Sequence, residues 1–179
     1  MTMRLIEISD EYIEYMKKFF ENILDNKMNS RKHGRKYLGV IMNINNQDYF
    51  APLSSPKKSD YNTDGSIKNS TIIVLRMITK KNSKEHLLGT IKLNNMIPVP
   101  STEIINYNLN LEKDKKYKNL VINELRWIQK NTSKITKAAQ NVYNIKMNEN
   151  KNINSKNERF LNSIISFKEA EEKCKLFKK

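Results

Sequence analysis

The chain has 179 residues, of which 33 are Lys or Arg and 19 are Asp or Glu, a formal net charge of +14. With 38% hydrophobic residues it can build one core, which excludes a wholly disordered chain, and no apolar run approaches the ~20 residues of a membrane-spanning helix. The single cysteine, Cys174, excludes an internal disulfide and a multi-cysteine zinc site. The opening MTMRLIEISDEY lacks the basic-then-apolar shape of a signal peptide, so the expectation is a soluble, cytoplasmic protein with one domain over residues 1–179.

Met3 to Ile8 reads as a strand. Ser9 stands where an N-cap belongs, and Tyr12, Met16, Phe19, Phe20 and Ile23 recur at helical spacing, which predicts a helix over residues 10–25. Residues 26–35, NKMNSRKHGR, have no periodicity and read as a mobile basic loop. Lys36 to Ile44 and Gln47 to Ala51 read as a hairpin turning at Asn45-Asn46, with Pro52 and Pro56 ending strand pairing. Residues 59–70 form a polar loop. Residues 71–78 and 86–93 follow as strands, with Gly89 at a bulge, and Met96-Ile97-Pro98 is a short edge piece.

Beyond residue 111 the period changes. Tyr117, Val121, Leu125 and Ile128 mark one helix. Ile135, Ala139, Val142 and Tyr143 share a face of a second, which Thr132 or Ser133 would cap. Residues 148–158 are polar and low in complexity. Ser166 and Glu169 have capping-box spacing ahead of a last short helix, on whose apolar face Cys174 is a packing residue. The expected architecture is α+β: an antiparallel sheet or barrel over residues 3–98 with one inserted helix, then a helical part over residues 111–179.

The positive charge favours a polyanionic partner, nucleic acid first. It is uneven: residues 1–26 carry −3, whereas residues 113–179 carry 17 basic and 7 acidic side chains, +10. No glycine-rich phosphate loop and no paired metal-binding histidines occur. Residues 27–92 offer only Asp48, Asp60, Asp64 and Glu85, too few to cluster around two cations, so the expected chemistry needs no metal and no cofactor.

The segment Pro52-Leu53-Ser54-Ser55-Pro56-Lys57-Lys58 stands out. Two prolines restrict its backbone, and two hydroxyls and two ammonium groups held stiffly suit a phosphate, either as a binding site or as a solvated turn. Lys36 adjoins the loop containing Arg31, Lys32, His33 and Arg35. A lysine among cations has its ammonium form destabilised, which suits proton transfer, and His33 titrates near neutrality unaided; the same loop could equally serve only to contact backbone phosphates. His86, heading a strand, reads as structural. Cleavage of RNA by its own 2′-hydroxyl meets these constraints, since it needs a base, an acid and cations around the phosphate but no activated protein nucleophile.

Tyr49-Phe50-Ala51-Pro52-Leu53-Ser54-Ser55-Pro56-Lys57-Lys58 resembles the signature of the type III toxin–antitoxin endoribonucleases, the ToxN/AbiQ family. So do Leu88-Gly89-Thr90-Ile91-Lys92-Leu93-Asn94-Asn95-Met96-Ile97-Pro98-Val99-Pro100, the opening Tyr12-Ile13-x-Tyr15, and the helix with Lys118, Leu125 and Ile128 followed by Asn131-x-x-x-Ile135. The resemblance implies a compact, twisted β-barrel related to the Kid/MazF toxins and decorated by helices. It implies a metal-independent, sequence-selective ribonuclease toxin of phage abortive infection that leaves 2′,3′-cyclic phosphate and 5′-hydroxyl ends. It also implies inhibition by a small, repeat-encoded pseudoknot RNA, in some members within a closed toxin–RNA ring.

On this chain the family's catalytic motif falls on Ser54, Ser55 and Lys57, and its upstream lysine on Lys36. Where other members carry Thr-Ser, Ser54-Ser55 keeps both hydroxyls. The region before Lys36 matches the family poorly; from their charge alone, Arg31, Lys32, His33, Arg35 and Lys58 would contact RNA beside the bend. Lys115, Lys116, Lys118, Lys134 and Lys137 would grip the antitoxin RNA. The alternative from another class is a non-catalytic RNA- or DNA-binding regulator using the same basic surface.

Overall fold

A computed structural model describes residues 3–26, 35–44, 46–148 and 158–178. The expected loop over residues 26–35, with Arg31, Lys32 and His33, lies mostly outside these, as does most of the polar segment 148–158. Among the described residues, seven strands form one antiparallel sheet: β1 (Leu5–Ile8), β2 (Tyr37–Ile44), β3 (Gln47–Ser54), β4 (Val74–Lys81), β5 (Lys84–Lys92), β6 (Ile97–Pro98) and β7 (Ile104–Asn106). The order is β4-β5-β3-β2-β1-β7, and β6 also pairs with β3. The helices are α1 (Asp10–Lys17), α2 (Lys115–Lys130), α3 (Thr132–Met147), α4 (Glu158–Asn162) and α5 (Phe167–Leu176). α2 packs on β4 and β5, α3 on β2, and α5 on β6 and α3. No helix among the described residues is long and apolar enough to cross a membrane.

β3 runs three residues past the expected end, through Pro52 to Ser54. On one side it pairs with β2 as far as Pro52 opposite Tyr37, and the Leu53 N–H continues to the Lys36 carbonyl at 2.9 Å. On its other side Tyr49 and Phe50 face β6, whereas Leu53 and Ser54 face β5. Pro52 lies in the gap between those two partners, where a missing N–H breaks no ladder bond.

The hairpin turns at Asn46, whose φ of 60° is the left-handed conformation that asparagine tolerates. β4 begins at Val74 rather than Thr71, because the Thr71 hydroxyl accepts the Val74 N–H in a local turn. β5 skips a residue between Gly89, opposite Met77, and Leu87, opposite Ile78, so the bulge falls at Leu88 beside the expected glycine.

α1 is half the expected length. Lys17 pairs with Asp25, eight residues on; a continuous helix would separate them by about 12 Å along its axis, so the chain must turn back. Phe20 and Ile23 remain buried after the turn. Ser9 caps α1 by accepting the Tyr12 N–H, and Ser166 caps α5 by accepting that of Glu169. Asn131, not Thr132 or Ser133, stands between α2 and α3, closing one helix and opening the next.

Tyr12, Tyr49, Phe50 and Phe167 are fully buried. Within this core the phenols of Tyr49 and Tyr143 donate to one Glu171 carboxylate oxygen at 2.7 and 2.8 Å, and burial pushes the Tyr143 phenol up to about 12. Cys174 is a buried packing residue, its thiol pushed up by burial.

Candidate active site

The bend after β3 is open to solvent: Ser55, Pro56, Lys57 and Lys58 are all exposed. Ser54, the last strand residue, is buried. Arg35 holds it from beneath, donating from Nη1 to the Leu53 carbonyl at 2.8 Å and to Ser54 Oγ at 3.2 Å, and from Nε to the Asp25 carbonyl at 3.0 Å. Arg35 is therefore a buried brace and not the surface RNA contact expected of it. With a guanidinium donating to its oxygen, Ser54 keeps its own O–H proton to donate elsewhere.

Downstream, Asp60 fixes the bend. Its Oδ2 accepts the Lys57 N–H at 3.0 Å, and its backbone N–H returns to the Lys57 carbonyl at 2.9 Å. Oδ1 takes Nη2 of Arg76 at 2.9 Å in an ion pair buried on both sides, and Arg76 Nη1 donates to the Asn69 carbonyl at 2.6 Å. The Lys57 backbone is thus tied to the sheet while its ammonium stays in water.

Strand pairing sorts these residues by face, because partners across an antiparallel ladder project to the same side. Ser54 lies opposite Thr90, and Thr90 opposite Arg76. One residue earlier on β3, Leu53 lies opposite Ile91, and Ile91 opposite Leu75, on the other face. Lys36, hydrogen-bonded through its carbonyl to Leu53, is buried, and its partners come from elements other than the bend. Its ammonium pairs with Glu7 and lies 4.2 Å from the Tyr107 ring centroid and 6.0 Å from that of Tyr117. The described neighbours of Lys36 are thus a carboxylate and two aromatic faces, which favour a cation. Arg31, Lys32 and His33, the cations expected beside it, lie outside the described residues.

Tyr117 opens α2 between Lys116 and Lys118, so this contact brings the basic start of the helix to Lys36. Lys115 and Lys116 are exposed and Lys118 half-buried; Lys134 and Lys137, one turn apart on α3, are exposed opposite the buried Ile135 and Ala139. His86 is exposed on β5 across from Thr79.

Sequence reasoning passed over Asp60, Arg76, Glu7, Tyr107 and Glu124. A charged residue within Val74-Leu75-Arg76-Met77-Ile78 was a legible signal, since a buried strand keeps an arginine only against a partner. Glu124, two turns beyond Tyr117 on α2, is buried, and burial raises its carboxyl pKa to about 7. A side chain at Gly89 would strike both Glu124 Oε1 and the Ser54 carbonyl, so α2 rests directly on the strand end that carries the bend. The folded state holds the Glu124 proton that an unfolded chain releases near pH 4.5, so ionisation opposes folding as pH rises from about 4.5 to 7. That difference corresponds to about 3 kcal/mol lost above pH 7. Glu124→Gln is expected to match the wild type in denaturant unfolding at pH 4.5 and exceed it by about that amount at pH 8; equal stabilities at pH 8 would contradict the reading.

With the fold and this geometry in place, the comparisons are specific. The family model for the ToxN toxin of type III toxin–antitoxin systems matches residues 4–175, and the chain belongs to that family. Among its relatives, the endoribonuclease AbiQ of Lactococcus lactis subsp. lactis is 32% identical over 179 residues, 100% of this chain and 91% of AbiQ. The endoribonuclease ToxN of Bacillus thuringiensis subsp. kurstaki is 31% identical over 175 residues, 96% of this chain and 82% of that protein. The solved AbiQ structure, described as a lactococcal anti-phage endoribonuclease, covers 98% of both chains with a TM-score of 0.78 at 28% identity. A second solved structure, from a study of selective toxin inhibition by a non-coding RNA pseudoknot, matches at the same TM-score and coverage with 27% identity.

Proposed function

We propose that this protein is an endoribonuclease toxin held in check by a non-coding RNA, and that it cuts RNA by transesterification without a metal ion. The observation that carries the reading is the exposed bend whose backbone is fixed from both ends, by Arg35 under Ser54 and by Asp60 under Lys57. A phosphodiester laid on it would meet the Ser55 hydroxyl and the Lys57 ammonium without reorganising the chain, the condition under which fixed charges lower a barrier most. The ribose 2′-oxygen attacks phosphorus as its proton leaves to a base. The O2′–P bond forms, the P–O5′ bond breaks, and the 5′-oxygen takes a proton, leaving a 2′,3′-cyclic phosphate and a 5′-hydroxyl. Ser54 and Ser55 donate to the non-bridging oxygens, Lys57 offsets their growing charge, and Lys36, paired with Glu7 and set against the Tyr107 ring, transfers a proton or neutralises charge. Asp60, the carboxylate tied to the bend, is occupied by Arg76 and by the Lys57 N–H, which supports chemistry without a bound cation.

The test is the end chemistry of RNA incubated with purified protein in EDTA. Cyclic-phosphate ends are expected; intact, tightly bound RNA would replace this reading with that of a non-catalytic regulator. Antitoxin RNA would lie on the lysines of α2 and α3. If Lys115, Lys116, Lys118, Lys134 and Lys137 each meet a phosphate, affinity is expected to fall on the order of 10²- to 10³-fold between 50 and 200 mM salt. A titration series giving a flat response would remove the helical lysines from the interface.

A further inference from the structure

The site described so far leaves one half-buried cation unexplained. Lys92 ends β5 opposite Val74, two residues beyond Thr90, and so projects to the face that carries Ser54, Thr90 and Arg76. The charges acting on it are Asp60, Lys57 and Arg76: one carboxylate against two cations, and that carboxylate is already bonded to Arg76 and to the Lys57 backbone. Two buried donors in this cluster, Nε of Arg76 and the hydroxyl of the fully buried Thr90, find no hydrogen-bond partner among the described residues. Buried donors in native proteins are nearly always satisfied, so a face with spare donors and surplus positive charge is suited to an anion.

We propose that Lys92 is a second phosphate-binding residue of this site, holding together with Lys57 one backbone phosphate of the RNA substrate, and that the buried Asp60–Arg76 pair positions the two lysines. The proposal rests on the ribonuclease reading above and names the side chain that reading omits. The geometry is economical. Asp60 ties down the residue bearing one ammonium, and Arg76, on the strand paired with β5, ties that carboxylate to the strand bearing the other. Burial, assisted by Lys57 and Arg76, holds the Lys92 ammonium below the ordinary lysine range, and a phosphate between the lysines would reverse that repulsion. The share of RNA binding owed to Lys92 is therefore lost on raising the pH earlier than that of an ordinary lysine.

Binding of a 2′-deoxy oligonucleotide, which cannot be cleaved, is measured across a salt series for the wild type, Lys92→Met, Lys92→Arg, Lys57→Ala and the double variant Lys57→Ala/Lys92→Met. Loss of one phosphate contact lowers the slope of log affinity against log salt by about 0.7 on a single strand, and Lys92→Met is expected to do so while Lys92→Arg restores it. If both lysines hold one phosphate, the double variant loses less than the product of the two single losses. An unchanged slope in Lys92→Met, or strictly multiplicative losses, overturns the proposal.

Cleavage is read in parallel. Lys92→Met is expected to lower kcat/KM roughly 10- to 100-fold. Asp60→Asn, assayed below its own melting temperature, should lower cleavage in the wild type but not in a Lys57→Ala background, a dependence that a merely structural residue would not show. A loss of equal size in both backgrounds overturns the positioning role. Absence of cleavage by the wild type would defeat the ribonuclease reading, and the salt slopes would still decide whether Lys92 binds phosphate.

Discussion

Lys57→Ala is expected to slow RNA cleavage by at least about 100-fold, as loss of a fixed charge opposite a developing oxyanion does in other enzymes. The same change should leave the melting temperature within about 2 °C of the wild type, the scatter of ordinary surface substitutions. The two halves have separate physical origins. The Lys57 side chain is exposed and donates to nothing among the described residues, whereas its backbone N–H, which Asp60 accepts, survives replacement by alanine. The bend should keep its shape and lose only its charge. In cells, toxicity should vanish while the protein accumulates normally. A Lys57→Ala protein that cuts at the wild-type rate would remove this residue from the chemistry.

Arg76→Met should have the opposite signature, a large loss of stability. The pair it forms with Asp60 is buried on both sides, and removing one partner strands the other charge away from water, typically at a cost of about 3–5 kcal/mol. The Asn69 carbonyl would lose its donor as well. For a chain of this size that corresponds to a fall in melting temperature of roughly 10 °C. The double variant Asp60→Asn/Arg76→Met, which removes the stranded charge, should recover part of the loss, and thermal unfolding of the three proteins reads it directly. A single variant melting within 2 °C of the wild type would show that the pair carries little of the fold's stability.

How much of this was legible beforehand divides along the range of the interactions. The hairpin at Asn46, the caps at Ser9 and Ser166, the amphipathic faces of α2, α3 and α5 and the bulge near Gly89 are written within a few residues. They depend on backbone preference and side-chain period, which neighbours in the chain suffice to set. The exposed, stiff bend at Ser55-Pro56-Lys57 belongs with them, because proline restricts the backbone wherever it stands. The family resemblance, carried by the segments 49–58 and 88–100, was legible in the same way.

Only the folded chain decided the rest. α1 stops early and the chain turns back, which brings Asp25 to Lys17, and β3 passes through Pro52 because its two partners on one side leave a gap there. β7 was not foreseen at all; three residues pair only because β1 offers an edge nearly a hundred positions away. Arg35 points inward to Leu53 and Ser54, and Lys36 meets Glu7 and Tyr107, although both residues sit in a sequence that reads as a cationic patch. A side chain's charge is fixed by its covalent structure, but its neighbours are fixed by which strands lie side by side, and those lie tens of residues apart. The sequence by itself therefore determined what chemistry was present and where the chain would stiffen. Tertiary structure determined which cations became braces, which kept a water-facing ammonium, and which carboxylate was spent holding the bend in place.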